Sequence, residues 1–534
     1  MKKIYSFAIV FLMLALCNNA LAQSEIMYAD VNRADVQRMN FEIIGKTASN
    51  YLIYKEIKGR HWISVHDENM RELENVPISI LPSKSELMDV TFFPSGNGAW
   101  LIYQFQKENI VYCEAAKVEA NGRILDAPTL LDTTIITYKT DNRIYNTLIN
   151  ADGSKIMLFK INRKDRALYH LSTKLLDNKL EPLYSGTVSL PMNPDGDYLT
   201  GYSLDDDGNL VFVKYNRMKS GEIGAASLMV KPSNKDVIED HSLNINNLYL
   251  DDLKVKIDDK NNKYLLVSFY SEKKKGNLAG LYTYAWDKKN NSFAYEKTSS
   301  LTEEMLRKGK GKSKSKSAYN DYFINNIVLN NNGGFTVGAE VLYATNYGGM
   351  YDRWGYWGSP YFGAPYGGFY GGWYGWGGWS PWSYGWGRFG YWSPYYYYSP
   401  FFYRSYWWGD YGYSGSQRFH AGNVALFAFD KDGNKEWDNV IVKSQSSTNT
   451  DATISYLILN KGSDLHVVLN NSGKISDLEN ISINGAGSIF QENPLQAKDK
   501  HSEFMPRYAK QINDNEVIMP VLTKKNIQFA KVKL

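Results

Sequence analysis

The sequence has few cysteines, no excess of charge of one sign and no long apolar run beyond its first residues. Its 534 residues include 2 Cys, 60 Lys or Arg and 56 Asp or Glu, which gives a formal net charge of +4. Two cysteines cannot cross-link a chain of this length into a disulfide scaffold. The near balance of charge argues against a dedicated nucleic-acid-binding protein. We therefore expect no specific nucleic-acid partner and no transmembrane segment.

Motifs of common active sites are also missing. None of the seven histidines stands in H-E-x-x-H or a comparable metal-binding spacing, and G-x-S-x-G is absent. GKGKS (309–313) ends like a phosphate-binding loop, but Leu306 stands where its first glycine belongs. In the acidic turn 430–434 the glycine falls at position four, whereas an EF-hand loop needs it at position six. The sequence therefore predicts no metal, no cofactor and no assigned catalytic residue.

The N-terminus has the pattern of a bacterial secretory signal over residues 1–22. Lys2 and Lys3 are followed by a mostly apolar stretch from Ile4 to Cys17, which is too short to span a bilayer, and by the A-x-A site 20–22. A lipobox that ends at Cys17 is the alternative, although the bulky Leu16 precedes the cysteine. We expect cleavage after Ala22 and an exported protein, periplasmic or at the outer membrane or cell surface of a Gram-negative bacterium.

A hairpin pattern recurs along the rest of the chain. Each copy has an alternating apolar strand, a turn rich in Asn, Asp and Gly, and a second apolar run. Gly and Asn tolerate the positive φ of tight hairpin turns, and β-branched and aromatic residues suit strands. The copies are residues 90–103, 147–159, 202–213, 253–267, 327–337, 456–469 and 510–522, with a weaker one at 42–54.

A second pair of strands follows each hairpin, so each unit has about four strands and spans about 47 to 70 residues. This periodicity predicts an all-β protein, a β-propeller over residues 23–534 with seven or eight four-stranded blades. Eight is preferred. The last unit, 503–534, has only three evident strands, and an N-terminal strand within residues 26–38 would complete it and close the ring.

Two turns resemble known repeats. NADGSKIMLF (150–159) resembles the WD40-like repeats of exported bacterial propellers of the TolB type, and FDKDGNKEW (429–437) resembles quinoprotein-type propeller repeats. The resemblance implies strand-turn-strand units along most of the chain. It transfers no functional residue.

Two segments interrupt the repeats. Residues 306–317 form a predicted Lys-rich linker with six cations and no acid. Residues 347–415 form a low-complexity insertion with 32 aromatic residues and 18 glycines among 69, and no Leu, Ile or Val. The insertion cannot build an aliphatic core, and large exposed aromatic surfaces commonly bind partners.

Both segments are expected on one face of the propeller. The insertion joins the second and third strands of a blade, and loops at that position share a face with the links between blades. Cationic loops on this face predict a basic surface beside the aromatic segment. The predicted partner-binding aromatics are Trp373, Trp376, Trp379, Trp382, Trp386, Trp392, Tyr395, Tyr396, Tyr397, Tyr398, Trp407 and Trp408. The predicted cations are Lys273, Lys274, Lys275, Arg307, Lys308, Lys310, Lys312, Lys314 and Lys316.

These features favour an exported, non-enzymatic binding or assembly module. Its basic face and aromatic insertion would engage envelope polysaccharide, lipopolysaccharide or an envelope protein, or would mediate self-association. One alternative is a propeller hydrolase or lyase with its site in the central channel, where clustered ionisable groups are expected. Another is a self-associating structural surface protein, with the insertion as its adhesive part.

Overall fold

A computed structural model describes most of the chain outside the N-terminus and the aromatic insertion. The described residues are 25–30, 39–136, 144–163, 167–193, 196–218, 222–310, 322–346, 349–350, 418–448, 452–473, 476–524 and 526–534. Antiparallel β-sheets account for nearly all of the regular structure, so the prediction of an all-β protein of the propeller type is confirmed.

The strands of the first half form four meanders, here called units 1 to 4, in each of which consecutive strands pair. Unit 1 contains β2 (Asn40–Thr47), β3 (Asn50–Ile57), β4 (Arg60–His66) and β5 (Glu72–Pro77). Unit 2 contains β6 (Leu87–Ser95), β7 (Gly98–Lys107), β8 (Ile110–Val118) and β9 (Thr129–Ile135). Unit 3 contains β10 (Asn146–Ile149), β11 (Lys155–Arg163), β12 (Leu168–Asp177) and β13 (Pro182–Pro191). Unit 4 contains β14 (Asp197–Leu204), β15 (Leu210–Arg217), β16 (Ile223–Lys231) and β17 (Glu239–Ser242).

The second half continues as units 5 to 8. Unit 5 contains β18 (Tyr249–Asp258), β19 (Lys263–Ser271), β20 (Gly280–Asp287) and β21 (Ser292–Ser300). Unit 6 contains β22 (Tyr322–Leu329), β23 (Phe335–Asn346), β25 (Arg418–Phe429) and β26 (Lys435–Ile441), with β24 (Gly349–Met350) and β27 (Gln445–Thr448) at its edges. Unit 7 contains β28 (Tyr456–Lys461), β29 (Asp464–Asn470), β30 (Asp477–Ile483), β31 (Ile489–Gln491) and β32 (Leu495–Gln496). Unit 8 contains β33 (Glu503–Phe504), β34 (Lys510–Asn513), β35 (Glu516–Leu522), β36 (Ile527–Lys533) and β1 (Glu25–Tyr28).

The core consists of apolar clusters between neighbouring units, and one cluster joins the last unit to the first. There Phe41 of β2 packs edge-on against Phe529 of β36, with ring centroids 5.2 Å apart. First strands of several consecutive units contact one another, which places them around the centre of the ring. Units 4 and 5 share one sheet through the single pair Ile223↔Leu250. The choice between seven and eight blades depends on whether this double sheet counts once or twice, and the preference for eight stays a prediction.

The N-terminal strand closes the ring. β1 pairs antiparallel with β36, from Glu25↔Lys533 to Tyr28↔Ala530. The Gln528 side chain donates a hydrogen bond of 2.6 Å to the Ala29 carbonyl just beyond this strand. The strand is shorter than the expected span of 26–38, of which residues 31–38 lie outside the described part of the chain.

One helix, α1 (Glu303–Lys310), lies in the link between units 5 and 6. Thr302 caps it, because its hydroxyl accepts a 3.2 Å hydrogen bond from the Met305 amide. Met305 is buried in the core between these units, and Glu304 pairs with Lys308 at 2.6 Å. The predicted linker 306–317 therefore begins inside a helix.

The two ends of the ring differ in the segments they carry. Tyr322, the first residue of β22, pairs with Val341 near the end of β23, so the loop after β23 emerges at the same end as the preceding link. We call this end the link face and the opposite end, which carries the hairpin turns, the turn face. Within the described residues, no helix is long and apolar enough to cross a membrane.

Candidate functional site

A buried cluster of polar and charged side chains lies at the link face between units 6 and 7. Glu340 comes from β23, Lys443 from the segment after β26, and Ser455 immediately precedes β28. Their residues are 0%, 6% and 2% exposed, respectively. Buried charges are costly unless they are paired, so the contacts that hold this cluster are informative.

The Glu340 carboxylate is the centre of the cluster. Its Oε1 lies 2.6 Å from Lys443 Nζ. Its Oε2 accepts a hydrogen bond of 2.5 Å from the Ser455 hydroxyl and one of 3.2 Å from Asn325 Nδ2. Lys443 Nζ also donates to Gln445 Oε1 at 2.9 Å. The Glu340 carboxylate thus accepts a hydrogen bond from a serine hydroxyl through one oxygen and is ion-paired with an ammonium through the other.

The backbone at Ser455 is strained. Its φ of 81° lies in the left-handed region, which residues with a Cβ rarely adopt. The Ser455 amide donates a 2.9 Å hydrogen bond to Gln445 Oε1, the oxygen that also accepts from Lys443. Strained residues held by their surroundings are concentrated at functional sites, so this outlier supports a functional hypothesis for Ser455.

The surroundings shift the pKa values of the cluster. Burial lowers the pKa of Lys443, the Glu340 carboxylate opposes that shift, and the nearby Arg507 guanidinium adds to it. Burial and the Glu340 charge raise the pKa of the Tyr456 hydroxyl. Perturbed ionisable groups are enriched at functional sites, although structural ion pairs perturb pKa values as well.

An amide and hydroxyl network supports the cluster from the inner strands. The Tyr456 hydroxyl donates to Asn325 Oδ1 at 2.6 Å and accepts from Asn326 Nδ2 at 2.9 Å. Gly338 on β23 allows this approach, because a Cβ there would lie 2.7 Å from the Tyr456 hydroxyl oxygen. The strands on either side of the unit 6–7 boundary are therefore locked together next to Glu340.

Other inner strands also carry buried ionisable groups. Burial lowers the pKa of Lys256 on β18 to about 7. Burial also lowers the pKa of Lys510 on β34, which donates a hydrogen bond of 2.6 Å to the Ile44 carbonyl of unit 1. Asp89 on β6 and Glu42 on β2 are buried as well. The inner strands therefore carry buried ionisable groups, which the alternative of a site in the central channel requires.

The residues that the sequence singled out lie apart from this cluster or outside the described residues. Lys273, Lys274 and Lys275 are exposed in the link-face loop after β19. Arg307 and Lys308 are exposed on α1, which Lys310 ends. Outside the described residues lie Lys312, Lys314, Lys316, Trp373, Trp376, Trp379, Trp382, Trp386, Trp392, Tyr395, Tyr396, Tyr397, Tyr398, Trp407 and Trp408.

Carboxylates on the turn face are paired across units. Lys288 of unit 5 contacts Asp205 at 3.0 Å and Asp207 at 3.3 Å, both in unit 4, and also pairs with Asp259. The Lys155 ammonium of unit 3 donates to the Asp206 carbonyl at 2.6 Å. The acidic turns thus tie neighbouring units together. Among the described residues, no group of His, Cys, Asp and Glu is arranged to hold a metal ion.

Sequence reasoning missed Glu340, Lys443 and Ser455. Glu340 offered the only local signal, since it interrupts the otherwise apolar and small-residue strand FTVGAEVLYA (335–344). A charge on a strand that is buried on both faces requires a buried partner. Lys443 and Ser455 stand in a polar link, where the sequence does not distinguish them from solvated loop residues.

Comparison with known proteins gives matches at the level of fold only. No family model matches the chain, and no curated protein does. Among solved structures, a prolyl endopeptidase matches with a TM-score of 0.41 and 6% identity, over 92% of this chain and 55% of that one. A puromycin hydrolase has a TM-score of 0.37 and 9% identity, over 92% and 60%. Prolyl oligopeptidase B from Galerina marginata has a TM-score of 0.38 and 8% identity, over 92% and 55%.

These matches bear on two of the expectations from the sequence. The chain spans about half the length of the prolyl endopeptidase it matches. The three structures named above are enzymes, which contradicts the prediction of a non-enzymatic binding or assembly module and fits the alternative of a propeller hydrolase better, while a further match is a eukaryotic initiation factor. The resemblance to WD40-like repeats is supported only as a propeller-like fold. At this identity and TM-score the matches indicate the fold alone.

Proposed function

We propose that this chain is a hydrolase of esters or amides in which Ser455 is the nucleophile. The observation that carries the proposal is the 2.5 Å hydrogen bond from the Ser455 hydroxyl to a buried Glu340 carboxylate that is itself paired with Lys443. A nucleophile within hydrogen-bond reach of a base, with the base oriented by a third group, is the arrangement that activates a hydroxyl for covalent catalysis.

Each group has a defined role in the proposed reaction. Ser455 Oγ forms a bond to the carbonyl carbon of the substrate while its proton passes to Glu340 Oε2. The bond from that carbon to the leaving group then breaks, and the leaving group takes the proton from Glu340. Water then attacks the acyl-serine while Glu340 takes one of its protons. The bond from the carbonyl carbon to Ser455 Oγ breaks, Glu340 returns that proton to Ser455 Oγ, and the acid product leaves. Lys443 acts as a positioning residue, since it holds Oε1 and so orients Oε2 toward Ser455.

The energetics also favour a functional reason for the cluster. A buried ion pair often stabilises a fold no more than an apolar pair of similar volume does. A contribution to stability therefore does not explain why Glu340 and Lys443 are buried here. The φ of 81° at Ser455 adds a local cost of about 1–3 kcal/mol. Glycine would remove that strain, whereas a serine at this position supplies a hydroxyl aimed at Glu340.

The proposal is tested by covalent labelling. Because Ser455 is 2% exposed, we expect slow labelling by the small reagent phenylmethylsulfonyl fluoride and weaker labelling by bulky fluorophosphonates. Peptide mass spectrometry should place the adduct on Ser455, and Ser455→Ala and Glu340→Gln should abolish it. Ser463→Ala is the matched control, since Ser463 donates to Asp464 at 3.0 Å in an exposed turn whose lysine, Lys461, donates to the Leu534 carbonyl. An adduct that persists in Ser455→Ala, or none on folded wild-type protein, would overturn the proposal.

A further inference from the structure

A second link-face segment lies beside the proposed site. The short 3-10 helix Pro506–Tyr508, between β33 and β34 of unit 8, contacts β28, the strand that begins directly after Ser455. This helix carries Arg507, a half-buried residue in an otherwise buried turn. A guanidinium therefore stands at the end of the ring where the Ser455 hydroxyl is found.

Asn470 fixes the distance between the two segments. Its side-chain amide donates one 2.7 Å hydrogen bond to the Thr453 carbonyl and another of 2.7 Å to the Phe504 carbonyl. The backbone carbonyl of Asn470 accepts a 2.7 Å hydrogen bond from Gln445 Nε2. One asparagine thus connects the segment that carries Ser455, the segment that carries Arg507 and the side chain that holds Lys443.

The electrostatics agree with this placement. The Arg507 charge contributes to the lowered pKa of Lys443, which agrees with a guanidinium near the cluster. Guanidinium groups recognise carboxylate and phosphate oxygens through two parallel hydrogen bonds, and they remain charged at all physiological pH values. A negative group on the acyl side of a substrate would meet this guanidinium while the carbonyl carbon faces Ser455.

We infer that the substrates are anionic acyl compounds and that Arg507 holds their carboxylate or phosphate beside Ser455. This inference rests on the proposed hydrolase function and adds the substrate class to it. Arg507 acts in binding, so its loss should raise KM for anionic substrates and leave kcat nearly unchanged. The same change should affect the KM for neutral substrates much less.

Two p-nitrophenyl esters test the inference, with each rate corrected for spontaneous hydrolysis, because the free carboxylate of the hemisuccinate accelerates its own cleavage. We expect wild-type protein to show a KM for p-nitrophenyl hemisuccinate about tenfold below that for p-nitrophenyl acetate, a difference that falls as salt is added. Arg507→Gln should remove the difference and Arg507→Lys should restore part of it. Arg123→Gln is the matched control, because Arg123 is exposed and pairs with Glu74 of β5, at 2.8 Å. Equal KM values for both esters in wild type, or equal loss on both in Arg507→Gln, would overturn the inference.

A binding measurement separates this inference from the proposed reaction. Succinate should raise the unfolding temperature of the wild-type chain, neutral succinamide should not, and Arg507→Gln should lose the succinate effect. If neither ester is hydrolysed but succinate binds through Arg507, the hydrolase proposal fails and the anion site stands. If succinate has no effect on wild type, the anion site fails whatever the hydrolysis shows.

Discussion

Replacement of Glu340 by glutamine should reveal how much free energy the buried cluster holds. Glu340 and Lys443 have side chains that are 0% and 2% exposed, so neither charge is relieved by solvent. Removal of one partner of such a pair leaves the other charge uncompensated and typically costs about 3–5 kcal/mol. Glutamine keeps an acceptor for the Ser455 hydroxyl, so we expect a loss at the lower end, about 3 kcal/mol.

A second substitution shows whether this loss comes from the stranded lysine. Lys443→Met in the Glu340→Gln background removes the buried ammonium, and we expect it to recover about 2 kcal/mol or more. The urea midpoint, followed by far-UV circular dichroism, measures each change. Asp432→Asn is the matched control, since its pair with Lys431 is 58% and 64% exposed and should contribute less than about 1 kcal/mol.

The stability of the Glu340→Gln variant should change with pH in a defined direction. Burial already lowers the pKa of Lys443 below its unfolded value, and loss of the Glu340 carboxylate lowers it further. The folded variant then binds fewer protons than the unfolded chain, so its stability rises with pH toward the ordinary lysine range. A Glu340→Gln variant that loses less than about 1 kcal/mol, or whose loss Lys443→Met does not reduce, would refute the reasoning.

Three further perturbations test other parts of the fold. Burial lowers the pKa of His66 to about 4, so the free energy of unfolding of the wild-type chain should fall by about 3 kcal/mol between pH 7 and pH 4. His66→Asn should make this fall smaller, and urea midpoints at the two pH values measure it. Lys288→Met should lower the free energy of unfolding by about 3 kcal/mol at pH 7 and by less near pH 5. The reason is that the pKa of Asp259 is raised to about 6, so near pH 5 this carboxyl is mostly protonated and does not require a paired cation. Thermal unfolding at both pH values measures the difference. Deletion of Glu25–Tyr28 should expose the edge of β36 and produce aggregates in size-exclusion chromatography, whereas deletion of residues 1–22 alone should not.

The strand repeat was predictable because the signal for each hairpin is local. The turns at Gly153 and Gly208 have φ values of 73° and 87°, which the Asn, Asp and Gly pattern anticipates. The order of strands in unit 6 was predictable for the same reason, since 335–344 and 423–430 each alternate like a strand. The short helix α1 was missed because its eight residues include five charged ones and only two large apolar ones.

The candidate site was not predictable because it forms only when units 6 and 7 pack against each other. Ser455 and Glu340 bond across 115 positions of sequence, and neither residue type is unusual in its local setting. The position of Arg507 depends on Asn470, a residue of a third segment, through two backbone carbonyls. Hydrogen bonds of this kind depend on the relative positions of units, which local turn patterns do not determine.

Composition and burial nevertheless point to the same unit by independent routes. Composition singled out unit 6, because the aromatic segment 347–415 interrupts it and the Lys-rich segment leads into it. Burial singles out the same unit, because Glu340 lies on β23, the strand that ends at Asn346 directly before that segment. A helix carbonyl adds a physical connection, since Asn423 accepts from the Lys443 amide at 3.2 Å and donates to the Lys308 carbonyl at 3.2 Å. Changes in α1 should therefore alter the position of Lys443. Kinetic measurements on α1 variants would separate a supporting role of this helix from direct binding by its cations.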